Sequence, residues 1–317
     1  MADSRANWAV CLVLALTWTS ARAVPPLPED KRIPARVVAM LSTENPAFHM
    51  PTDVAVASNG DVHVADGARD RVVTFSADYK LRSATTRPAG RQLKRPVGLS
   101  IDAKDNLWIA DTANHRVLVI APDGKLVEEL SLPKAESERE ADPTDVVLTS
   151  EGRAYVIDNP NHRILVRDPR AGTWEVLGKA GQAIGQFQYP FMGALGNGGD
   201  LLIAEAIGCR VQVLTREHRW AGAIGTWGIE LGQFHRPKGI ATDKAGRIFV
   251  TDSTMNVVQV FDPRGRVQGV LTDADGRPFY FKHPMGLTFD AKGRLYVVEL
   301  AANRVAIVEL APPKGGP

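Results

Sequence analysis

Short apolar runs separated by turn-forming residues recur from about residue 35 to residue 310. Between Gly239 and Leu271 the runs "GIATD", "IFVTD", "VVQVFD" and "RVQGVL" follow one another. The turn Lys244-Ala245-Gly246-Arg247 joins the first two, with glycine where a tight hairpin needs backbone freedom. Beyond residue 23, no stretch of useful length has the period of an amphipathic helix. The pattern therefore predicts an all-β protein built from units of four short strands.

The unit repeats six times along the chain. Aligned on one proline, the copies lie 45 residues apart once and 47 residues apart four times. The prolines are Pro51, Pro96, Pro143, Pro190, Pro237 and Pro284. Repeats of this length, with four strands each, are typical of propeller blades arranged around a central channel.

Two ends of the chain complete the predicted ring. The sixth copy lacks a fourth strand of its own, whereas Ala35–Leu41 has the composition of a strand ahead of the first copy. We predict that this N-terminal strand pairs with the last blade, because that pairing covers an open edge. The predicted fold is a six-bladed β-propeller of four-stranded blades. The predicted organisation is a cleaved signal peptide (1–23), a loose Pro-rich leader (24–34), the propeller (35–310) and a flexible tail (311–317).

The first 23 residues have the features of a secretory signal. A short polar start is followed by an apolar run from Trp8 to Trp18 and by small residues at Ala21 and Ala23. The run is too short to span a bilayer as a stable helix. We therefore expect a periplasmic or secreted protein without a transmembrane anchor after signal cleavage.

Composition narrows the classes of partner. The formal net charge of +2 becomes +1 without residues 1–23, so no strong field attracts nucleic acid. Cys209 is then the remaining cysteine, and an intramolecular disulfide is excluded. We expect a monomer held together by packing alone.

The segment "GTWGIELGQFHRPKGIATDKAGRIFVTD", from Gly225 to Asp252, resembles an NHL repeat. Gly-Gln-Phe precedes Pro-x-Gly-Ile, and Gly-Arg-Ile-x-Val-x-Asp follows. The pattern recurs to some degree in all six copies, over about residues 36–310. The resemblance implies a propeller fold. Because NHL propellers include protein-binding modules, RNA-binding modules and enzymes, function has to be argued from a site.

An acid at the end of the second strand and an arginine at the start of the third recur through the copies. The pairs are Asp66 with Arg71, Asp111 with Arg116, Asp158 with Arg163, Glu205 with Arg210, and Glu299 with Arg304. A catalytic acid is needed once or twice in an active site, not in every blade. We therefore interpret these pairs as structural contacts across a hairpin loop.

Enzymes with this fold suggest two kinds of metal site. Peptidyl-amidoglycolate lyases resemble the chain in fold and place zinc-binding histidines directly after the blade proline. Those positions here hold Thr52, Val97, Thr144, Phe191, Lys238 and Met285, so that activity is not carried over. Lactonase-type propellers use acids and an asparagine, and at the next position of each copy only Asp53 and Asp145 are acidic. These two could share a calcium ion with backbone carbonyls, or each could cap the start of its own strand.

The loops between copies differ most, and such variation within a repeat often carries function. The loop 86–95 is basic and the loop 133–142 is mainly acidic, which predicts adjoining patches of opposite charge. A partly apolar, partly charged rim suits a peptide or protein, with a small molecule as the alternative ligand. The candidate binding residues are Arg95, His115, His162, Tyr189, Phe191, Met192, Trp227, Arg236, Lys238 and Met285.

The sequence favours a non-catalytic protein- or peptide-binding or scaffold module that uses its loop-rich face. This interpretation rests on the absence of a recognisable nucleophile, metal triad or cofactor motif, and it assigns no catalytic residue and no bound cofactor. The alternative is a metal-dependent propeller enzyme, either a lyase or a lactone hydrolase, with its site at the channel mouth and calcium at Asp53 and Asp145.

Overall fold

The computed structural model describes residues 27–43, 47–137, 139–196 and 198–312. The predicted signal peptide, residues 24–26 of the leader and residues 313–317 of the tail lie outside the described residues. Within these ranges no helix is long and apolar enough to cross a membrane.

The described residues form β-strands joined by turns, as the apolar runs predict. The strands of the first two repeats are β2 (Pro51–Val56), β3 (Val62–Asp66), β4 (Arg71–Phe75), β5 (Leu81–Thr85), β6 (Pro96–Ile101), β7 (Leu107–Asp111), β8 (Arg116–Ile120) and β9 (Leu126–Ser131). Those of the next two are β10 (Pro143–Leu148), β11 (Ala154–Asp158), β12 (Arg163–Arg167), β13 (Trp174–Leu177), β14 (Pro190–Leu195), β15 (Leu201–Glu205), β16 (Arg210–Leu214) and β17 (Trp220–Ile224).

The last two repeats and the N-terminal strand complete the set. These strands are β1 (Arg32–Leu41), β18 (Pro237–Thr242), β19 (Ile248–Asp252), β20 (Val257–Phe261), β21 (Val267–Thr272), β22 (Pro284–Phe289), β23 (Leu295–Glu299) and β24 (Arg304–Leu310). Single 3₁₀ turns lie at Glu29–Lys31, Gly67–Arg69, Pro88–Gly90, Thr112–Asn114, Asn159–Asn161 and Leu300–Ala302.

The strands assemble into a propeller-like ring of sheets. Each of the first four repeats forms its own four-stranded antiparallel sheet, whereas β18–β24 and β1 form one eight-stranded sheet. The first strand of every repeat begins at the repeat proline and lies innermost. These inner strands contact one another in the order β2, β6, β10, β14, β18, β22 and back to β2. The all-β propeller prediction is therefore confirmed at the level of architecture.

The N-terminal strand joins the two ends of the ring. Residues Ala35–Leu41 of β1 pair antiparallel with β24, as expected for an outermost strand of the last repeat. Residues Arg32–Pro34 pair in parallel with Val270–Thr272 of β21, which the sequence did not indicate. Strand β1 therefore covers two sheet edges at once and makes the sheets of the last two repeats continuous.

The described part of the leader corrects the expectation of a loose segment at 24–34. Strand β1 begins at Arg32, inside that segment. Leu27 is buried against Val257 and Val270, and its carbonyl accepts hydrogen bonds from Arg32 Nε and Nη2. Burial of an apolar side chain and an available sheet edge order this part of the leader, and Pro34 is accommodated within β1 where its parallel pairing with β21 ends.

The core lies between neighbouring sheets. Apolar clusters join each repeat to the next, for example Tyr155 and Ile157 of the third repeat with Phe187 and Ile203 of the fourth. The position twelve residues after the proline contributes to this packing on both sides, as expected where every sheet is covered. Its members Trp108, Tyr155, Leu202, Phe249 and Tyr296 are all buried.

Candidate functional site

The inner strands enclose a channel cavity of about 370 Å³. Every inner strand contributes to its wall. Most of the lining residues are aliphatic, with Val54, Leu99, Val146, Ile240 and Leu287 among them, but polar atoms supply more of the exposed wall than apolar atoms do. Asp53 and Asp145 line the end of the cavity nearest the starts of the strands. The volume of this cavity lies within the range of small-molecule sites.

A β-bulge at the start of β2 and of β10 positions the two carboxyls. In β2, Pro51 is opposite Asp66 and Asp53 is opposite Ala65, so Thr52 is an extra residue. In β10 the same irregularity leaves Thr144 extra, ahead of Asp145. Bulges redirect the side chains that follow them, and they are common beside active sites.

Each carboxyl bridges to the inner strand of the next repeat. Asp53 Oδ2 accepts the Leu99 N–H at 2.8 Å, and Asp145 Oδ2 accepts the Gly193 N–H at 2.9 Å. Asp145 Oδ1 also accepts the Val146 N–H at 2.7 Å. Each acid therefore also contacts the start of its own strand, as expected for a cap, and in addition bridges to the next repeat.

A glycine of the preceding repeat makes room for each carboxyl. A Cβ added to Gly286 would lie 2.0 Å from Asp53 Oδ1, and one added to Gly98 would lie 3.0 Å from Asp145 Oδ1. A larger residue at either glycine would displace the acid. The two positions are therefore built alike, in the first and third repeats.

The two acids, which we call the carboxyl pair, interact electrostatically. Burial raises the pKa of Asp145 to about 7. Burial raises the pKa of Asp53 well above its usual value, and the nearby charge of Asp145 raises it further. Two buried carboxyls that face one cavity resist double ionisation, so the carboxyl pair holds a proton near neutral pH.

The carboxyl pair does not fit a divalent-cation site of the lactonase type. Asp53 Oδ2 and both oxygens of Asp145 already accept backbone N–H groups. Within the described ranges, no group of three His, Cys, Asp or Glu side chains could hold a metal. Calcium needs six to eight oxygen ligands. The prediction of calcium at Asp53 and Asp145 is therefore not supported by their surroundings.

The repeated acids and arginines are in direct contact. The distances between the arginine Nε and the carboxylate are 2.6 Å for Asp66–Arg71, 2.8 Å for Asp111–Arg116, 2.7 Å for Asp158–Arg163, 2.6 Å for Glu205–Arg210 and 2.7 Å for Glu299–Arg304. The same acids accept N–H groups from the loop that enters their repeat, such as those of His49 and Lys94. They therefore fix that loop, and not only the hairpin as the sequence suggested.

Another repeated position ties each repeat to the next. The backbone at this position adopts the left-handed conformation, with a positive φ. The residues found there, which we call the latch residues, are Asp70, His115, His162, Cys209, Asn256 and Asn303. Four of them accept the N–H of the residue before the next repeat proline, as Asn303 Oδ1 does from Met50 at 2.9 Å. His162 Nδ1 accepts the Tyr189 N–H at 3.0 Å.

The remaining two latch residues donate to carbonyls. His115 Nδ1 donates to Ala141 O at 3.1 Å and lies 2.7 Å from Asp142 Oδ1. The Cys209 thiol donates to His235 O, and burial raises its pKa to about 11, which keeps it unreactive. His115 and His162 are therefore held separately in their own repeats and do not form a pair.

The other candidates divide between the channel mouth and the outer loops. Lys238 Nζ lies 3.8 Å from the ring centroid of Phe191, above the cavity wall to which Met192 contributes. Met285 and Met192 are buried, and Tyr189 is about half exposed. Trp227 is 71% exposed and is not part of the cavity wall.

Some charges of the two predicted patches are paired within their own loop or with a neighbouring strand. Lys134 Nζ lies 2.9 Å from Glu140, and Arg91 Nε lies 2.9 Å from Glu129. Arg95 is exposed at the mouth, and its positive charge faces Asp142.

The sequence did not assign a role to His283 or to Gly98 and Gly286. His283 precedes the last repeat proline, and its partly buried side chain lies near Arg236 and Lys238. Gly98 and Gly286 occupy the same position of the repeat as Asp53 and Asp145. The contact of each glycine with an acid depends on which strands become neighbours in the ring, and the alignment does not show that.

Comparison with protein families identifies two regions. Residues 57–141 match the SMP-30/Gluconolactonase/LRE-like region, and residues 141–166 and 234–261 match the NHL repeat. No curated protein matches the chain.

Solved structures share the fold at low sequence identity. A gluconolactonase from Xanthomonas campestris has a TM-score of 0.66 and 15% identity, over 92% of this chain and 100% of that one. Virginiamycin B lyase from Staphylococcus aureus has a TM-score of 0.63 and 15% identity, over 87% and 100% of the two chains. A streptogramin B lyase has a TM-score of 0.62 and 14% identity, over 87% and 98%.

These findings correct the expected function. The prediction of a non-catalytic protein- or peptide-binding module is contradicted, because the matching region and the similar structures belong to lactonase-like proteins and lyases. They agree better with the enzyme alternative. The prediction of the family is confirmed by the matched repeats, and the chain is an NHL-repeat β-propeller protein.

Proposed function

We propose that this chain is a propeller enzyme that hydrolyses a small lactone in its central channel. The observation that carries the proposal is the carboxyl pair at one end of the channel cavity. The match of residues 57–141 to the SMP-30/Gluconolactonase/LRE-like region supports the choice of substrate class. The cavity volume supports a small molecule as the partner.

The two acids have different tasks. Asp145, with a pKa of about 7, is partly ionised at neutral pH and takes a proton from water while the water oxygen attacks the lactone carbonyl. Burial and the charge of Asp145 raise the pKa of Asp53, which keeps its proton and donates it to the ring oxygen as the ring C–O bond breaks. The product is the hydroxy acid. The proton now sits on Asp145, and its return to Asp53 restores the starting state.

Elimination by the same pair is a second candidate. The described residues supply no activated nucleophile at the cavity, since Cys209 is unreactive and the Ser100 hydroxyl donates to Val146 O. Asp145 would remove a C–H proton, Asp53 would protonate the leaving oxygen, and a C=C bond would form. Incorporation of ¹⁸O from labelled water identifies hydrolysis, whereas ultraviolet absorbance of a new double bond identifies elimination.

The test is a comparison of matched Asp→Asn variants on a series of five- and six-membered lactones, followed by proton release. Asp53→Asn can keep its bond from Leu99 N–H but cannot release a proton, and Asp145→Asn cannot act as a base. We expect at least a 100-fold loss of kcat/KM in each. Asp275→Asn changes an exposed carboxylate and should retain full activity. Wild-type activity in Asp145→Asn would contradict the proposal.

We also propose that the ring has six blades. In this description the eight-stranded sheet consists of β18–β21 and of β22–β24 completed by β1. The repeat spacing and the ring of inner strands support it. A ring closed within one chain supports a monomer, and the pattern of residues 1–23 supports an exported protein.

A further inference from the structure

A second cavity, of about 290 Å³, lies between the fourth and fifth repeats, and we call it the inter-repeat cavity. One wall is the fourth repeat, with Leu202 of β15, Val213 of β16 and Gly222 of β17. The opposite wall is the fifth repeat, with Ile248 of β19 and the β20–β21 hairpin. Its lining residues differ from those of the channel cavity. A cavity of about 150 Å³ is already enough to bind a benzene ring.

The inter-repeat cavity lies where the other repeats place a ring. The residue twelve positions after the proline packs against the next repeat, and in the fourth repeat it is Leu202. In the register of the sheet, Leu202 is opposite Val213 and Val213 is opposite Gly222, so all three share the face toward the fifth repeat. The other repeats have ring side chains at the position of Leu202, namely His63, Trp108, Tyr155, Phe249 and Tyr296.

Two tyrosines show how the corresponding space is filled elsewhere in the ring. Between the third and fourth repeats, the Tyr155 hydroxyl lies 3.0 Å from His218 Nε2, in the β16–β17 hairpin of the next repeat. Between the sixth and first repeats, the Tyr296 hydroxyl lies 3.4 Å from the Tyr79 hydroxyl and donates to Asp290 Oδ2 at 3.3 Å. Each phenol ring therefore extends from the second strand of one repeat to the outer hairpin of the next, where its hydroxyl meets polar atoms.

Glycines keep the same space open between the fourth and fifth repeats. Gly265 has the hairpin position that His218 and Tyr79 have in their repeats. No side chain fits there, because the φ of Gly265 is positive and a Cβ would lie 2.6 Å from Ile224 Cγ1. A Cβ on Gly222, at the other wall, would meet no atom within 4 Å. The cavity therefore results from small residues on both of its walls.

Polar groups line the rim of the inter-repeat cavity. Gly196 has the position of Asp290 in its repeat, so the acid that accepts from Tyr296 has no counterpart there. Asp200 of the fourth repeat and Arg264 of the fifth both line the cavity instead. The carboxylate can accept a hydroxyl proton, and the guanidinium can donate to a hydroxyl oxygen.

We propose that the inter-repeat cavity is a binding site for a small phenol. The ring lies against Leu202, Val213 and Ile248, in the space that a tyrosine ring takes at the corresponding interfaces, and the hydroxyl lies at Asp200 and Arg264. Burial of an aromatic ring between two sheets that are already in place is favourable, since neither wall has to be ordered on binding. The site is independent of the reaction proposed for the carboxyl pair.

The test is calorimetric titration of the whole chain with p-cresol, which has the ring and the hydroxyl of a tyrosine side chain. We expect one p-cresol per chain and at least fivefold weaker binding to Leu202→Phe, which supplies the ring that Phe249 supplies in the next repeat. Leu81→Phe changes an exposed leucine and should bind like the wild type. Toluene, which lacks the hydroxyl, should bind at least threefold more weakly. Methyl NMR should show nuclear Overhauser effects between the p-cresol ring and both Leu202 and Ile248.

Three results would overturn the proposal. They are no saturable binding of p-cresol to the wild type, contacts of the bound ring with Val54 and Ile240 of the channel wall instead, or unchanged affinity in a folded Leu202→Phe variant. If Leu202→Phe does not fold, the Overhauser contacts in the wild type decide the location. Equal affinity for toluene would overturn the assignment of a phenol.

The outcome is separable from that for the carboxyl pair. Asp145→Asn should bind p-cresol like the wild type while losing turnover. If Asp145→Asn keeps its turnover, the proposed reaction fails and the phenol site stands on its own titration.

Discussion

Ionisation of Asp145 should make the folded protein less stable as the pH rises. Burial raises the pKa of this carboxyl from 3.8 to about 7. Each pKa unit corresponds to about 1.4 kcal/mol, so the folded state loses roughly 4 kcal/mol relative to the unfolded state over this interval. Because the folded pKa is the higher one, this stability is complete below about pH 4. It is lost progressively up to about pH 7 and stays lost above that.

The perturbation is Asp145→Asn, which removes the titrating group. An amide can accept only one of the Val146 and Gly193 N–H groups, so the variant should be less stable than the wild type at pH 4. Between pH 4 and pH 8 the wild type should lose roughly 4 kcal/mol of stability relative to the variant, because only the wild type has a carboxyl that ionises at this position. The assay is urea unfolding from pH 4 to pH 8.5, with Asp275→Asn as the exposed control.

The reasoning is refuted if the difference in the free energy of unfolding between Asp145→Asn and the wild type changes by less than about 1 kcal/mol across this pH range. It would mean that Asp145 is hydrated enough to ionise freely. The carboxyl pair would then lack the retained proton on which the proposed chemistry depends.

Three further predictions concern the scaffold. Asp66→Ala should lower the free energy of unfolding by about 3–5 kcal/mol, because it removes the carboxylate that contacts the buried Arg71 guanidinium. Arg266→Ala removes an exposed partner of Asp262 and should cost under about 1 kcal/mol. Denaturant unfolding compares the two variants, and equal effects would contradict the structural role. Burial and nearby Arg139 lower the pKa of His162, so stability should fall as the pH drops below about 6.5, where the unfolded state protonates first. His162→Asn should remove that dependence in a thermal melt at pH 5 and pH 8, since Asn256 and Asn303 accept the same bond, and an unchanged dependence would count against the latch. Gly269→Ala should lower stability by about 3 kcal/mol, because its Cβ would lie 1.9 Å from Lys31 O where β1 meets β21, and a neutral effect on the melting temperature would contradict that packing.

The repeat made most of the fold predictable from the sequence. The recurring prolines give the starts of the inner strands, and the apolar runs give strands such as Ile248–Asp252 with their observed bounds. The parallel pairing of Arg32–Pro34 with β21 was not predictable. Those residues are separated from their partners by more than 230 positions, and no local pattern records such a contact.

The site was predictable only as a list of residues. The alignment singled out Asp53 and Asp145 because no other repeat has an acid at that position. It could not show that Leu99 and Gly193 would donate to them, since both donors come from the next repeat in the closed ring. For the same reason His115 remained ambiguous, because its acceptor Ala141 lies 26 positions away across an inter-repeat loop.

The pH dependence of turnover tests the central claim most directly. With a lactone that the wild type hydrolyses, kcat/KM should rise with pH through a step near 7 as Asp145 ionises, and fall again at higher pH as Asp53 loses its proton. Asp53→Asn should lose the falling limb in whatever activity remains. A profile that is flat from pH 5 to pH 9, or one whose rising step lies near 4, would contradict catalysis by the carboxyl pair.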